Sequence, residues 1–412
     1  MRFGNHIVEH APFSVPMIGN TATGYSIGLT PEGREVCHRM FSEDVPAAEV
    51  AAVDERLLEH VQRGGFCQGV STAEPAALQA AYLHVTHRCN LRCVGCYSGV
   101  EERNGRPDLP LEEMRVIVGH LARAGVPRLI ISGGEPFLRD DLPQIAAAAK
   151  EAGVAQVDVL TNGTLVTEEK LRALAPVVDT VSVSFDGADG CAVPAIRREN
   201  RFDVLVAAVE AVRAAGIRAH IIPTIHGGNI GDMEAHCALA ERLGATINFS
   251  LLSAAPDGGE LAALLPDEDA LEALARATLA LSRGGGGLLA DTPLNTGLAT
   301  TTGCGAGCSM ASVSADGEVF PCHLLHDEAF CAGSLREGAN CLDSLRRPAP
   351  PVDELPGCRG CEIRYLCGGG CRARAFLAHG DATARDPYCT LMKTFYRLLF
   401  QAMLGTESGK EV

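Results

Sequence analysis

From about residue 80 the chain alternates short apolar runs with longer amphipathic stretches. Runs at 82–86, 128–132, 155–160, 180–185, 218–225 and 246–252 read as buried parallel strands. Apolar positions at helical spacing follow each of them, at 111–124, 140–152, 168–174, 202–215, 232–243 and 267–282. Six strand–helix units in succession predict an α/β fold with a parallel sheet and right-handed crossovers. Six are fewer than the eight of a closed barrel. The expectation for 79–290 is therefore a partial, TIM-like (β/α)6 barrel, with its chemistry at the C-terminal ends of the strands.

The flanks read differently. Residues 1–78 begin with a strand-like 6–9 and pass through Gly-rich turns to 25–29. Helical patterns follow at 31–40 and 47–63, where Val50, Val53, Leu57, Leu58 and Val61 form a stripe. Short strands followed by helices suit a small winged-helix-like domain. A glycine run at 284–287 reads as a linker. Residues 291–412 are rich in Gly and Cys with little periodicity. Such a segment does not build a core alone, and metal ligation would have to order it. A terminal helix is expected over 395–404 and a polar tail over 406–412.

Composition narrows the function. The formal charge of −16 opposes nucleic acid and anionic membrane as partners, since both require clustered Lys and Arg. No apolar run approaches the length of a membrane span, and the first residues show no secretory pattern. A cytoplasmic location is expected. The 17 cysteines stand out in that setting, where disulfides are rare and clustered thiols more often bind metal. Six are isolated: Cys37, Cys67, Cys191, Cys237, Cys331 and Cys341. The others fall into two groups.

The first group is Cys89-Asn-Leu-Arg-Cys93-Val-Gly-Cys96-Tyr97, directly after the first barrel strand. Three thiolates on one loop can hold three irons of a [4Fe–4S] cube and leave the fourth iron open. A zinc site borrowing His84 or His87 is the other reading. The spacing, with an aromatic close behind, resembles the radical SAM superfamily, whose members cleave S-adenosylmethionine (SAM). Ser132-Gly133-Gly134-Glu135-Pro136, after the second strand, resembles the family's glycine-rich motif for the SAM amine. Paired glycines permit close backbone approach, and Glu135 suits an ammonium. The resemblance further implies SAM contacts from Tyr97, Asn162, Ser184, Asp186, Arg197 and Leu252. It implies reductive cleavage of SAM to a 5′-deoxyadenosyl radical, with electrons from a donor such as flavodoxin or ferredoxin.

The second group is Cys304, Cys308, Cys322, Cys358, Cys361, Cys367, Cys371 and Cys389. A zinc ribbon at 358–371 is one reading. The order resembles the SPASM domain, which carries auxiliary iron–sulfur clusters. By that analogy Cys304, Cys308, Cys322 and Cys371 hold one cluster, and Cys358, Cys361, Cys367 and Cys389 the other. Three [4Fe–4S] clusters are thus expected. SPASM enzymes mostly modify peptides, and 1–78 resembles domains that bind leader peptides as an added edge strand. The expected function is maturation of a ribosomally made precursor peptide, with a Cys thioether crosslink as product. The alternatives are carbon–carbon crosslinking, sulfatase-type Cys or Ser oxidation, and modification of tetrapyrrole side chains.

Overall fold

A computed structural model describes residues 1–69, 78–99, 102–253, 259–284 and 297–405. Of the linker expected at 284–287, Gly284 ends a helix and 285–287 lie outside the described residues, as does the tail at 406–412.

Residues 1–69 form an antiparallel sheet of β1 (Ile7–His10), β2 (Met17–Asn20) and β3 (Ser26–Gly28), followed by α1 (Pro31–Met40), α2 (Ala47–Val53) and α3 (Glu55–Arg63). Thr30 starts α1: its side chain accepts the Gly33 N–H at 3.0 Å, and Pro31 takes the first helical position. The single helix expected over 47–63 is broken at Asp54. That residue is extended (φ −159°), and its carboxylate caps α3 by accepting the Arg56 N–H at 2.9 Å. Strand β2 was not expected: Met17-Ile18-Gly19-Asn20 has only two large apolar residues and falls in the stretch read as Gly-rich turns, although all four residues are buried. Phe3, Ile18, Val36, Met40, Val61 and Phe66 belong to a core of their own.

The barrel region runs through β4 (Ala80–His84), α4 (Leu111–Arg123), β5 (Arg128–Ser132), α5 (Leu142–Glu151), β6 (Gln156–Thr161), α6 (Glu168–Leu174), β7 (Thr180–Phe185), α7 (Phe202–Ala214), β8 (Arg218–Ile225) and α8 (Met233–Leu243). The sixth expected strand is two short ones, β9 (Thr246–Ile247) and β10 (Ser250–Leu251), both parallel to β8, before α9 (Glu268–Gly284). Neighbouring strands from β4 to β8 are parallel.

The strands are not apolar on both faces. Ala81, Leu83, Leu129, Ile131, Val157, Val159, Val181, Val183 and Ile221 share one core with Met114, Ile117, Ile145 and Val209 of the helices. The alternate residues face the other way, and many are polar: Tyr82, His84, Ser132, Asp158, Ser182, Ser184 and His220. This polar inner face is what a barrel with chemistry in its lumen requires.

The cysteine-rich segment continues the same sheet. It contributes β11 (Met310–Val313), β12 (Glu318–Phe320) and β13 (Gly333–Ser334), then α10 (Asn340–Ser344), α11 (Arg364–Cys367), α12 (Arg372–His379) and α13 (Cys389–Met403). β11 pairs in parallel with β4, and β12 and β13 follow antiparallel. The strand order is β10-β8-β7-β6-β5-β4-β11-β12-β13, with β9 on β8. The segment obtains its core from the barrel: Ala311, Val313, Val319, Leu335 and Phe395 join the main cluster. The terminal helix, expected from 395, begins at Cys389 and packs on α9.

Candidate active site

The loop after β4 carries the first three cysteines. Cys89 is buried, and Cys93 and Cys96 are half-buried. The Cys89 N–H donates to Asn104 Oδ1 at 3.0 Å. Its sulfur accepts the Leu91 N–H at 3.5 Å and Asn162 Nδ2 at 3.9 Å. Arg103, 7% exposed, donates one guanidinium nitrogen to Cys96 Sγ at 3.8 Å and another to the Leu91 carbonyl. Burial raises the Cys89 thiol and pushes Cys93 up to about 11, against the opposing charge of nearby Arg197. Loading a metal must therefore displace these protons.

The glycine-rich turn is welded to this loop. The Gly134 N–H donates to the Thr86 carbonyl at 2.8 Å, and the Glu135 N–H to that of Arg88 at 2.8 Å. Gly133 has φ +126°, and a methyl on Gly134 would fall on the Arg88 carbonyl oxygen. Here the glycines serve the packing of one loop on another. Glu135 is fully buried and accepts three internal donors: the Phe137 N–H at 3.0 Å, Thr161 Oγ1 at 2.8 Å and the Asn162 N–H at 2.8 Å. Its carboxylate thus ties the end of β5 to the end of β6. Pro136 opens a short turn that buries Phe137.

The remaining predicted residues lie round the same rim. Tyr97 is 42% exposed, with its hydroxyl 2.8 Å from Ser132 Oγ. The Asn162 side chain reaches Asn90 Oδ1 at 2.9 Å as well as the Cys89 sulfur. Ser184 lies on the inner face of β7, opposite Ile222. Asp186 and Arg197 form a buried ion pair, and the Arg197 N–H also donates to Asp186 at 3.1 Å. Leu252 packs with Ile196 and Leu261 against Cys93 and Val94.

One observation fits a [4Fe–4S] cluster with SAM: among the described residues, Arg197 Nε is buried without an acceptor. That donor, close enough to Cys93 for its charge to act on the thiol, suits an anionic group such as a carboxylate.

The C-terminal thiols fall into sets by their mutual charge interactions. Cys322, pushed up to about 12 by burial, also feels Cys371 and Cys304. Cys367, likewise at about 12, feels Cys389, Cys358 and Cys361. Cys308 lies on the turn before β11, with its sulfur 3.3 Å from Arg347 Nη2. Sequence reasoning missed what braces these loops. Asp386 is 3% exposed and receives Arg374 Nε and Nη2, both at 2.7 Å, the Cys371 N–H at 2.6 Å and the Tyr388 N–H at 2.9 Å. Its carbonyl accepts the Cys389 N–H at 3.0 Å. The only signal for it was an Asp-Pro turn three residues before a cysteine.

Between the two thiol regions lies a wall of rings. His84, on β4, has Nε2 buried without a partner among the described residues. Its ring is 4.5 Å from His326 and 5.9 Å from Tyr97. Desolvation pushes His323 and His326 down to about 4 and His84 well below its usual value, so all three are neutral imidazoles near pH 7.

A parallel α/β sheet with a cysteine triad at the C-terminal end of its first strand defines a radical SAM enzyme, and the chain belongs to that superfamily: residues 83–240 match the family model described as "Radical SAM superfamily". An AdoMet-dependent heme synthase of Methanosarcina barkeri is 32% identical over 336 residues, covering 74% of this chain and 94% of that protein. A PqqA peptide cyclase of Streptomyces rochei is 31% identical over 351 residues, covering 81% and 95%. The fold resembles SuiB of Streptococcus suis, solved with its precursor peptide SuiA, at a TM-score of 0.60 and 14% identity over 94% of this chain and 99% of that one. Membership of the superfamily implies a [4Fe–4S] cluster and SAM. Among the described residues, no helix is long and apolar enough to cross a membrane.

Proposed function

We propose that this enzyme modifies a ribosomally made precursor peptide, forming a thioether from a substrate cysteine. The observation that carries this reading is the small sheet of residues 1–69. Among the described residues strand β3 pairs only with β2, and residues 298–300 cover part of its outer side: the Thr300 N–H donates to the Gly24 carbonyl at 2.8 Å and Ser26 Oγ donates to the Leu298 carbonyl at 2.7 Å. The bonds from Asn20 to Tyr25 and from Leu29 to Pro16 show that Tyr25, Ile27 and Leu29 face β2, so the backbone of Ser26 and Gly28 faces outward. Gly28 is exposed. An extended leader peptide can add at the Gly28 end of this edge, beyond the stretch that residues 298–300 cover. The names of the cyclase and of SuiB's partner support a peptide substrate.

In this reading Cys89, Cys93 and Cys96 hold the cluster that binds SAM. Cys304, Cys322 and Cys371, with Cys308 nearby, hold a second. Cys358, Cys361, Cys367 and Cys389 hold a third. Bound there, the first cluster and SAM would supply the abstraction of one hydrogen atom from a substrate carbon, and the substrate thiol would lose its proton, and the remaining electron to an auxiliary cluster, as the C–S bond forms. The protein's own part is positional. Arg103 and Asn162 brace two of the sulfurs, the Gly133–Gly134 turn fixes their loop, Arg197 Nε offers a donor to a carboxylate, and Tyr97 offers an exposed ring for adenine.

The test is binding of the peptide encoded beside the gene to the full chain, measured by fluorescence anisotropy. Gly28→Pro removes an outward N–H without breaking a ladder bond, and it should weaken binding at least 10-fold. Equal affinity would count against the edge-strand site. The 32% identity to a heme synthase sustains a second reading, a tetrapyrrole substrate. Tight binding of an iron coproporphyrin, followed by its absorbance, with no peptide bound, would favour it.

A further inference from the structure

The ring wall makes one contact that the reading above does not use. His323 follows Cys322 on the turn after β12, and its Nδ1 stands 3.8 Å from Cys322 Sγ. The ring is not free to leave that position. It stacks on Tyr82, with centroids 4.1 Å apart and planes 24° apart, and the Tyr97 ring meets it edge-on at 5.2 Å. Its neighbour His326 is held otherwise: Nε2 lies 2.8 Å from Ser312 Oγ, and the ring stacks on Phe320 at 4.5 Å. One imidazole thus touches both the predicted auxiliary-cluster sulfur and the tyrosine of the first cysteine loop.

We propose that His323 donates its Nδ1–H to the Cys322 sulfur and thereby sets the reduction potential of the first auxiliary cluster, acting as a positioning residue. The inference rests on Cys322 being a ligand of that cluster. A donor aimed at a ligating sulfur stabilises the added negative charge of the reduced state and so raises the potential. The Tyr82 stack supplies the fixed orientation such a bond needs.

The test uses the full chain, reconstituted anaerobically with iron and sulfide, in a background of Cys89→Ala, Cys93→Ala and Cys96→Ala that silences the first cluster. Iron content and potentiometric titration followed by electron paramagnetic resonance are read for His323→Leu, His323→Gln and His326→Gln. Iron should stay at about eight per chain, two clusters of four. The first auxiliary couple should shift to more negative potential in His323→Leu. It should return towards the parent value in His323→Gln, which keeps an N–H donor, and stay unchanged in His326→Gln. An unshifted couple in His323→Leu, or an equal shift in His323→Gln, would overturn the proposal. Loss of about four irons in both His323 variants would overturn it too, by making His323 a holder of the cluster. A background with no auxiliary iron at all would instead bring down the ligand assignment, and the inference with it.

Discussion

Asp386→Asn tests whether one buried ion pair braces both auxiliary thiol sets. Asp386 and Arg374 have side chains only 3% and 11% exposed, and two parallel 2.7 Å bonds join them. Asparagine keeps an oxygen for the Cys371 N–H but leaves Arg374 buried without a counter-charge. Breaking a buried pair in this way costs about 3–5 kcal/mol. At a urea slope of about 3 kcal/mol per molar, the unfolding midpoint should fall by about 1 M or more. Asp386 fixes Cys371 through its carboxylate and Cys389 through its carbonyl, residues assigned to different clusters. With the three clusters proposed above, iron in the reconstituted protein should therefore fall from about twelve towards about four, as both C-terminal thiol sets loosen. Arg374→Met combined with Asp386→Leu removes both charges and should be less damaging than the two single changes added together. It should still remain below wild type, because the Cys371 and Tyr388 N–H groups lose their acceptor, at about 1–3 kcal/mol each. A midpoint within 0.2 M of wild type, by rough measure of a surface change, or full iron in Asp386→Asn, would refute this account. Additive single changes would do the same.

Three further changes address other parts of the site. Gly134→Ala drives a methyl into the Arg88 carbonyl, so the loop carrying Cys89 must move; SAM cleavage should fall at least 100-fold, with loss of about four irons, by chromatography of 5′-deoxyadenosine and iron assay. Cys361→Ala should abolish the modified peptide while SAM cleavage persists, and unchanged product would exclude a role for the last cysteine set in the reaction. Arg139 bonds the Asp141 carboxylate at 2.8 and 2.7 Å and holds its pKa below the usual value. The stabilisation is therefore present above about pH 4 and is lost as pH falls through the lower folded value. Asp141→Asn should cost about 1 kcal/mol at neutral pH, and its difference from wild type in thermal unfolding should vanish in acid.

Much of the barrel was legible because its strands and helices differ so plainly in length and period. Runs at 128–132, 180–185 and 218–225 coincide with β5, β7 and β8. What the runs concealed was their alternation. In Thr180-Val-Ser-Val-Ser-Phe185, valines turn to the helices and serines to the lumen, which marks a barrel with a polar interior. Glu135 was read as a ligand for an ammonium because a carboxylate after paired glycines matches the family motif. Sequence could not show that Thr161 and Asn162, 26 and 27 residues away, already donate to it. That Cys304 lies near enough to Cys371 for their charges to interact had no signal in the local sequence, since no local pattern joins residues 67 positions apart.

The C-terminal segment was read as a piece needing metal for its order. β11 adds a second physical source. Four residues, Met310 to Val313, pair in register with Ala80 to Leu83 on the outer side of the first barrel strand. Without them β4 would expose an unpaired edge next to the loop that carries Cys89, and that loop's geometry would rest on one neighbour instead of two. The same pairing places Ser312 beside Tyr82, and with it the turn bearing Cys322, His323 and His326. Backbone hydrogen bonds thus fix the spacing between the first cysteine loop and the first auxiliary thiols. Metal loading at one site should then protect the other from unfolding, because both lean on β4. Hydrogen exchange at the amides of β4 and β11 should slow together on reconstitution; slowing confined to β11 would show that the two sites are held independently.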